Sequence, residues 1–204
     1  MDLKDTYNRI AKDWHKGHMI DTWWKEATDR FASLVANGGR ILDVGCGGGF
    51  KSNYLSEKGF DVVGIDFAEN LVAIAKREVP KARFFVMDMR ELSSLPGTFD
   101  GIFAQASLLH IPKKEISGTL STLVSKLNNQ GYLYVGVKGV KPGNPDEEVR
   151  KDDDYGYEFE RFFSYFTPLQ LRAHFEALGL AVVYENAAIS GKTEWLQIIG
   201  QKAK

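Results

Sequence analysis

Cysteine is nearly absent. Cys46 is the only one in 204 residues, so no internal disulfide can form. No apolar run approaches the ~20 residues a membrane helix needs, and the opening Met-Asp-Leu-Lys-Asp has neither the basic nor the apolar region of a secretory signal. A cytoplasmic protein without membrane contact is expected. Basic runs are missing too, and the formal net charge of −1 leaves no electrostatic footprint for nucleic acid. The histidines, at 15, 18, 110 and 174, include no i, i+4 pair, and no His/Cys/Asp/Glu spacing matches a metal site. There is no G-x-S-x-G elbow, no G-x-x-x-x-G-K-[ST] phosphate cradle, and no internal repeat or low-complexity tract.

Against those absences stands the stretch Ile41-Leu-Asp-Val-Gly-Cys-Gly-Gly-Gly-Phe50. An apolar run ending in an acid and then in glycines at 45, 47, 48 and 49 reads as a buried strand breaking into a tight loop, where missing Cβ atoms let a ligand touch the backbone. Phe50 to Lys58 then reads as a helix stopped by Gly59, which completes the strand, loop and helix N-terminus where α/β sheets hold nucleotides. The spacing narrows the ligand. A dinucleotide fingerprint counted from Gly45 meets Phe50 where its last glycine belongs, and counted from Gly47 it meets Ser52. What is present is D-x-G-x-G-x-G, from Asp43 to Gly49. Two more expected strands, Asp61 to Ile65 and Ala82 to Met87, run into Asp66 and Asp88, so three carboxylates would line one edge of a parallel sheet.

Taken in order, ILDVGCGGG, VVGIDFAENLVAIAK, FFVMDMREL and GTFDGIFAQASLLHI resemble the class I S-adenosylmethionine-dependent methyltransferases, from roughly Tyr7 to the C-terminus. The resemblance implies S-adenosylmethionine as cofactor, a small-molecule acceptor, and an α/β fold with a doubly wound, mostly parallel seven-stranded Rossmann-like sheet whose last strand is antiparallel. It also implies that Gly45, Gly47 and Gly49, with Cys46 among them, let the methionine part lie on the loop while Asp43 orients its ammonium group. Asp66 would bind both ribose hydroxyls, Phe67 would pack on the adenine, and Asp88, followed by Met89, would accept from the adenine amino group. Gln105 is assigned to the same cofactor edge. For Asp43 and Asp88 the competing role is a strand-end carboxylate that caps the following loop. Methyltransferases of nucleic-acid amino groups often carry N/D-P-P-Y/F where this chain has Gln105-Ala-Ser-Leu108, which argues against a flipped-base acceptor. Two rival functions share the loop: a non-catalytic cofactor-binding module, and a nicotinamide oxidoreductase, which Phe50 disfavours.

Length and 44% hydrophobic content fit one domain over residues 1–204. Residues 1–38 read as a helical cap, with a short helix over Tyr7 to Trp14 and a longer one over Asp21 to Ala36. In the family such a segment commonly covers the ligands, which makes Tyr7, Trp14 and His15 lid candidates; aromatic anchoring is the other reading. Residues 39–138 form the cofactor core, with helices over Glu69 to Glu78 and Lys113 to Asn129 and strands over Phe99 to Ala104 and Gly131 to Val137. His110 lies just past the fourth strand and, with a reference pKa near ~6.5, suits a general base, against a competing role in orienting the next helix. In the acceptor-side insertion, 139–166, the charge run Glu147 to Asp154 reads as a solvated loop. The near-alternation from Tyr155 to Phe166 then turns Tyr157, Phe159 and Phe163 to one side, as substrate lid or as core. A capped helix from Thr167 to Gly179 and a hairpin of Leu180 to Asn186 with Trp195 to Gln201 close the chain over 167–204. None of these signals encodes an oligomeric state.

Overall fold

Strands β1 (Arg40–Val44) and β2 (Asp61–Asp66) are buried nearly end to end, and such strands are stable only where both faces of a sheet are covered. The computed structural model describes residues 2–18 and 21–204 and arranges them in that way. After β3 (Arg83–Val86) come β4 (Phe99–Gln105), β5 (Leu127–Lys138), β6 (Glu147–Asp152), β7 (Phe159–Ser164), β8 (Leu180–Ser190) and β9 (Thr193–Lys202). Seven of them make one sheet in the order β3-β2-β1-β4-β5-β9-β8, while β6 and β7 pair apart as an antiparallel hairpin. From β3 to β5 the sheet is parallel, and β9 enters antiparallel between β5 and β8.

Successive residues point to opposite faces, so Ile41 and Leu42 serve different cores. Ile41, Val62, Phe103 and Tyr134 pack with Phe31 of α2 (Lys25–Leu34) and Leu55 of α3 (Phe50–Glu57). Leu42, Val63, Ile102 and Leu133 lie in the other core with Leu120 of α5 (Lys113–Ser125) and Phe175 of α6 (Pro168–Ala177). A third cluster lies beyond the sheet edge. There Tyr7 and Ile10 of α1 (Leu3–His18) meet Leu71 and Ile74 of α4 (Glu69–Glu78) and Phe159 of β7. No helix among the described residues is long and apolar enough to cross a membrane.

The structure moves several expected boundaries. The first helix is longer than its apolar pattern, because the Asp2 carboxylate accepts from the Lys4 amide and starts it early. The second starts only at Lys25, since the Trp24 indole donates to the Asp21 carbonyl across a preceding turn. Helix α5 stops at Ser125 and β5 begins at Leu127, with a register shift against β4 and Gln130 at φ +63°. The charge run at 147 is no solvated loop: Glu147–Asp152 is a strand, paired residue for residue with β7. At α6 the expected capping box is complete, with the Gln170 amide donating to Thr167 Oγ1 and the Thr167 amide donating to Gln170 Oε1.

Candidate active site

In parallel sheets, strand C-termini collect ligands because loops and helix N-termini converge there. Here the ends of β1, β2, β4 and β5 open on a cavity of about 290 Å³. The loop after β1 is anchored by the amides of Gly45 and Cys46, which donate to the Ile65 carbonyl at 2.8 and 2.9 Å. Asp66 closes the turn: one carboxylate oxygen accepts from the Gly47 amide and the other from the Ala68 amide, both at 2.9 Å. Asp43 accepts from Ser52 Oγ at 2.5 Å. Neither aspartate has an ion pair among the described residues, and burial pushes each carboxyl up to about 6.

Helix α1 lies over this loop. A Cβ at Gly47 would stand 2.8 Å from the Trp14 ring, and one at Gly48 would stand 2.0 Å from His15 Nδ1. Tyr7 reaches further, to His110 Nε2 at 2.7 Å, and His110 Nδ1 lies 2.7 Å from the Phe162 carbonyl. A carbonyl can only accept, so the proton is on Nδ1 and Nε2 accepts from the Tyr7 hydroxyl. Desolvation holds His110 down to about 3 and pushes Tyr7 up to about 12. With both nitrogens engaged and so low a pKa, His110 is better built to orient Tyr7 and the hairpin than to take an acceptor's proton at neutral pH.

On the far side, β4 and β5 contribute Gln105, Ser107 and Lys138. Gln105 accepts from the buried Tyr134 hydroxyl, but its Nε2 and Ser107 Oγ are buried with no partner among the described residues. Donors left in this state are costly unless a ligand or water meets them. Beyond them, Arg150, Arg161 and Phe163 of the hairpin and the stacked pair Trp23 and Trp195 complete the wall, the two indoles 4.0 Å apart.

Of the residues singled out from sequence, the structure brings Asp43, Gly45, Cys46, Gly47, Asp66 and Phe67 to the cavity wall. Met89, Gln105, His110, Tyr7, Trp14 and Phe163 join them. Asp88, Gly49 and Tyr157 are elsewhere, as are His15, which lies against Gly48 of the loop, and Phe159, which packs in the third core cluster. Asp88 is clamped by its neighbour Arg90 in a two-pronged pair, as a strand-end carboxylate capping its own loop. Gly49, at φ +85°, leaves room for Ala75 of α4 at 3.0 Å from its absent Cβ, so its smallness serves helix packing. Tyr157 lies outside β7, donates to Asp13 at 2.9 Å and stacks under Arg9, while Tyr155 takes the place at the wall. Sequence reasoning missed Lys51, Ser107, Lys138, Arg150, Arg161 and Trp195. Only Lys138 carried a signal, as the last residue of a strand pointing at the ligand edge.

Comparison with known proteins places this geometry. A family model described as a methyltransferase domain matches residues 15–185. A demethylmenaquinone methyltransferase of Beutenbergia cavernae is 31% identical over 151 residues, 74% of this chain and 58% of that protein. A ubiquinone biosynthesis O-methyltransferase of Dechloromonas aromatica is 33% identical over 110 residues, 52% of this chain and 47% of that protein. The chain thus spans about half the length of these curated relatives. In fold it is similar to the Burkholderia thailandensis 1,6-didemethyltoxoflavin-N1-methyltransferase, solved with 1,6-didemethyltoxoflavin and S-adenosylhomocysteine: TM-score 0.78, 18% identity, 99% of this chain and 88% of that one.

Proposed function

The chain belongs to the class I S-adenosylmethionine-dependent methyltransferases, and from that premise we propose that it transfers the methyl group of S-adenosylmethionine to a small-molecule acceptor. The observation that carries the reading is the pair of buried carboxylates, Asp43 and Asp66, which flank the glycine loop without an ion pair among the described residues, Lys51 acting on Asp43 only from a distance. Buried acids are retained where a ligand completes them, and a ligand with an ammonium group, a sulfonium and two vicinal hydroxyls does so. The unpartnered Gln105 Nε2 and Ser107 Oγ on the same wall favour a polar occupant as well.

In this reading Asp66 holds the ribose, Phe67 and Met89 enclose the adenine, and Asp43 faces the ammonium beside the Gly45–Gly47 backbone. S-adenosylmethionine, when bound, supplies a methyl on an excellent leaving group. The chain's own part is then positioning and exclusion of water. Trp14 and Tyr7 close the loop side, and Phe163 with Trp195 closes the acceptor side. His110 keeps Tyr7 in place and takes no proton.

Titration calorimetry with S-adenosylmethionine, followed by labelled-methyl transfer into a small-molecule extract, tests the reading. Asp66→Asn removes the charge and keeps one oxygen, enough for only one of the two backbone amides, and is expected to weaken binding by about 10- to 100-fold, the loss of ~1.5–3 kcal/mol of charge-assisted bonding. Unchanged affinity in the folded variant would remove the ribose assignment. Binding without transfer to any small molecule would leave a cofactor-sensing module instead.

A further inference from the structure

The cavity end formed by β5 and the hairpin holds charge that methyl transfer does not itself require. Arg150 and Arg161 are direct cross-strand partners, an arrangement that destabilises a hairpin unless negative charge sits between them. Asp152 supplies part of it, at 2.7 Å from Arg150 Nε and 2.7 Å from Arg161 Nη2, and Asp154 stands 3.9 Å from Arg161. Lys138 is the third cation. Its Nζ is 3.9 Å from the centre of the Phe163 ring, over which the Arg150 and Arg161 guanidinium carbons also lie, at 4.9 and 5.2 Å. Among the described residues Lys138 has no ion pair. Glu148, also facing this side of the hairpin, accepts instead from the Tyr165 hydroxyl at 2.6 Å and borders a neighbouring cavity. Burial, with the two arginines adding to it, pulls Lys138 down to about 7.

We propose that this end of the cavity seats a carboxylate of the methyl acceptor, held by Lys138, Arg150 and Arg161 beside Phe163. The inference deepens the methyl-transfer reading and rests on it. Strand order and register separate the site from the cofactor: β2, β1, β4 and β5 are successive neighbours, and Lys138 lies four residues beyond Tyr134, the β5 residue level with Asp43, so its backbone stands about 16 Å from those of Asp43 and Asp66 at the usual strand spacing and rise. The methionine carboxylate shares a carbon with the ammonium that Asp43 faces, which keeps it on the near side. One unpaired cation calls for one negative charge, a carboxylate rather than a phosphate dianion; Asp152 takes Nε and Nη2 of Arg161 but only Nε of Arg150, and the Nη edge of Arg150 fits a carboxylate's plane. The stacked indoles of Trp23 and Trp195 offer the acid's body an aromatic wall.

The test uses the full chain loaded with S-adenosylhomocysteine, titrated with benzoate, 4-hydroxybenzoate and indole-3-acetate, each beside its primary amide and beside inorganic phosphate. At least one acid is expected to bind about 10-fold or more tightly than its amide, and more tightly than phosphate. It should also take up protons at about pH 7.5, read as different heats in triethanolamine and Tris, two cationic buffers of different ionisation enthalpy, because an anion returns the Lys138 ammonium to its charged form. Lys138→Met should abolish both the preference and the proton uptake, Lys138→Arg should keep the preference, and S-adenosylhomocysteine affinity should hold within about 2-fold in both. If no acid outbinds its amide, or if phosphate outbinds every acid, the proposal falls. It also falls if Lys138→Met weakens S-adenosylhomocysteine as much as the acid, since the cluster would then hold the cofactor's carboxylate. Failure of S-adenosylhomocysteine to bind the unaltered chain strikes the methyl-transfer reading itself.

Discussion

Asp43 and Asp66 are acids that the fold holds ionised at neutral pH against their own desolvation. With carboxyls near 6 when folded and near ~3.9 when unfolded, each binds its proton more tightly in the folded chain. Ionisation above about pH 6 therefore costs stability, and the cost is relieved as pH falls from about 6 to about 4. Roughly 2 units at ~1.4 kcal/mol each set an upper bound near ~3 kcal/mol per group, less for the pair because they share one pocket. His110 works in the opposite sense, since its folded pKa near 3 withdraws stability as pH drops below ~6.5. The clean observable is a difference between variants. Asp43→Asn, ligand-free, should be more stable than the parent by about 1–3 kcal/mol at pH 7.5 and indistinguishable from it near pH 4, by urea unfolding. A gain that persisted at pH 4 would show that the aspartate destabilises by shape or lost hydrogen bonding and not by charge. With S-adenosylmethionine bound the order should reverse, because a cation in the pocket needs the carboxylate.

Elements were legible in the sequence where periodicity and punctuation agreed. The strand expected over Asp61 to Ile65 formed with Asp66 as its last residue, the helix over Glu69 to Glu78 kept its expected bounds, and the cap at Thr167 formed as its residues dictate. The β6 strand was not legible, because five of its six residues are charged, Arg150 among them pointing into the cavity, and that is the composition of a solvated loop. What α1 covers was equally hidden, since Trp14 and His15 meet the glycine loop only after about thirty residues of intervening chain have folded. That contact can be probed by adding one methyl group at a time. At Gly48 the methyl meets His15, a half-exposed side chain that can turn away, so Gly48→Ala should cost less than about 1 kcal/mol. At Gly47, φ is +53° and the obstruction is the Trp14 ring, so Gly47→Ala should cost about 2 kcal/mol or more and weaken cofactor binding in step. Equal costs at both positions would mean that α1 does not rest on the loop as described.

Across the whole molecule, the part of the cavity wall proposed to hold the cofactor was readable because it is local: Asp43, Gly45, Gly47, Asp66 and Phe67 come from two consecutive strand-loop-helix units. The acceptor half joins α1, β4, β5 and the hairpin, residues more than a hundred positions apart, and no short-range pattern carries such a meeting. The same division marks two levels of stability. Strands β1, β4 and β5 lie inside a sheet covered on both faces, whereas α1 joins no sheet and is held along one face, by Tyr7, Ile10 and Ala11 in the third cluster and by side-chain bonds that include Tyr7 to His110, Asn8 to Glu69 and Asn70, and Asp13 to Tyr157. The cavity beneath α1 is where the cofactor is proposed to sit, and parting α1 from the β6–β7 hairpin would uncover it. Regions held by few buried contacts open at lower free energy than the core. Hydrogen exchange followed by mass spectrometry should therefore find α1 and the hairpin exchanging faster than β4 in the free chain. Saturating S-adenosylhomocysteine should slow those two segments together, by the factor RT ln(1 + [L]/Kd) allows, and leave β4 nearly unchanged. If α1 is protected as strongly as β4 without ligand, the ligand must enter another way; if only the glycine loop responds, then α1 is a fixed wall and not a cover.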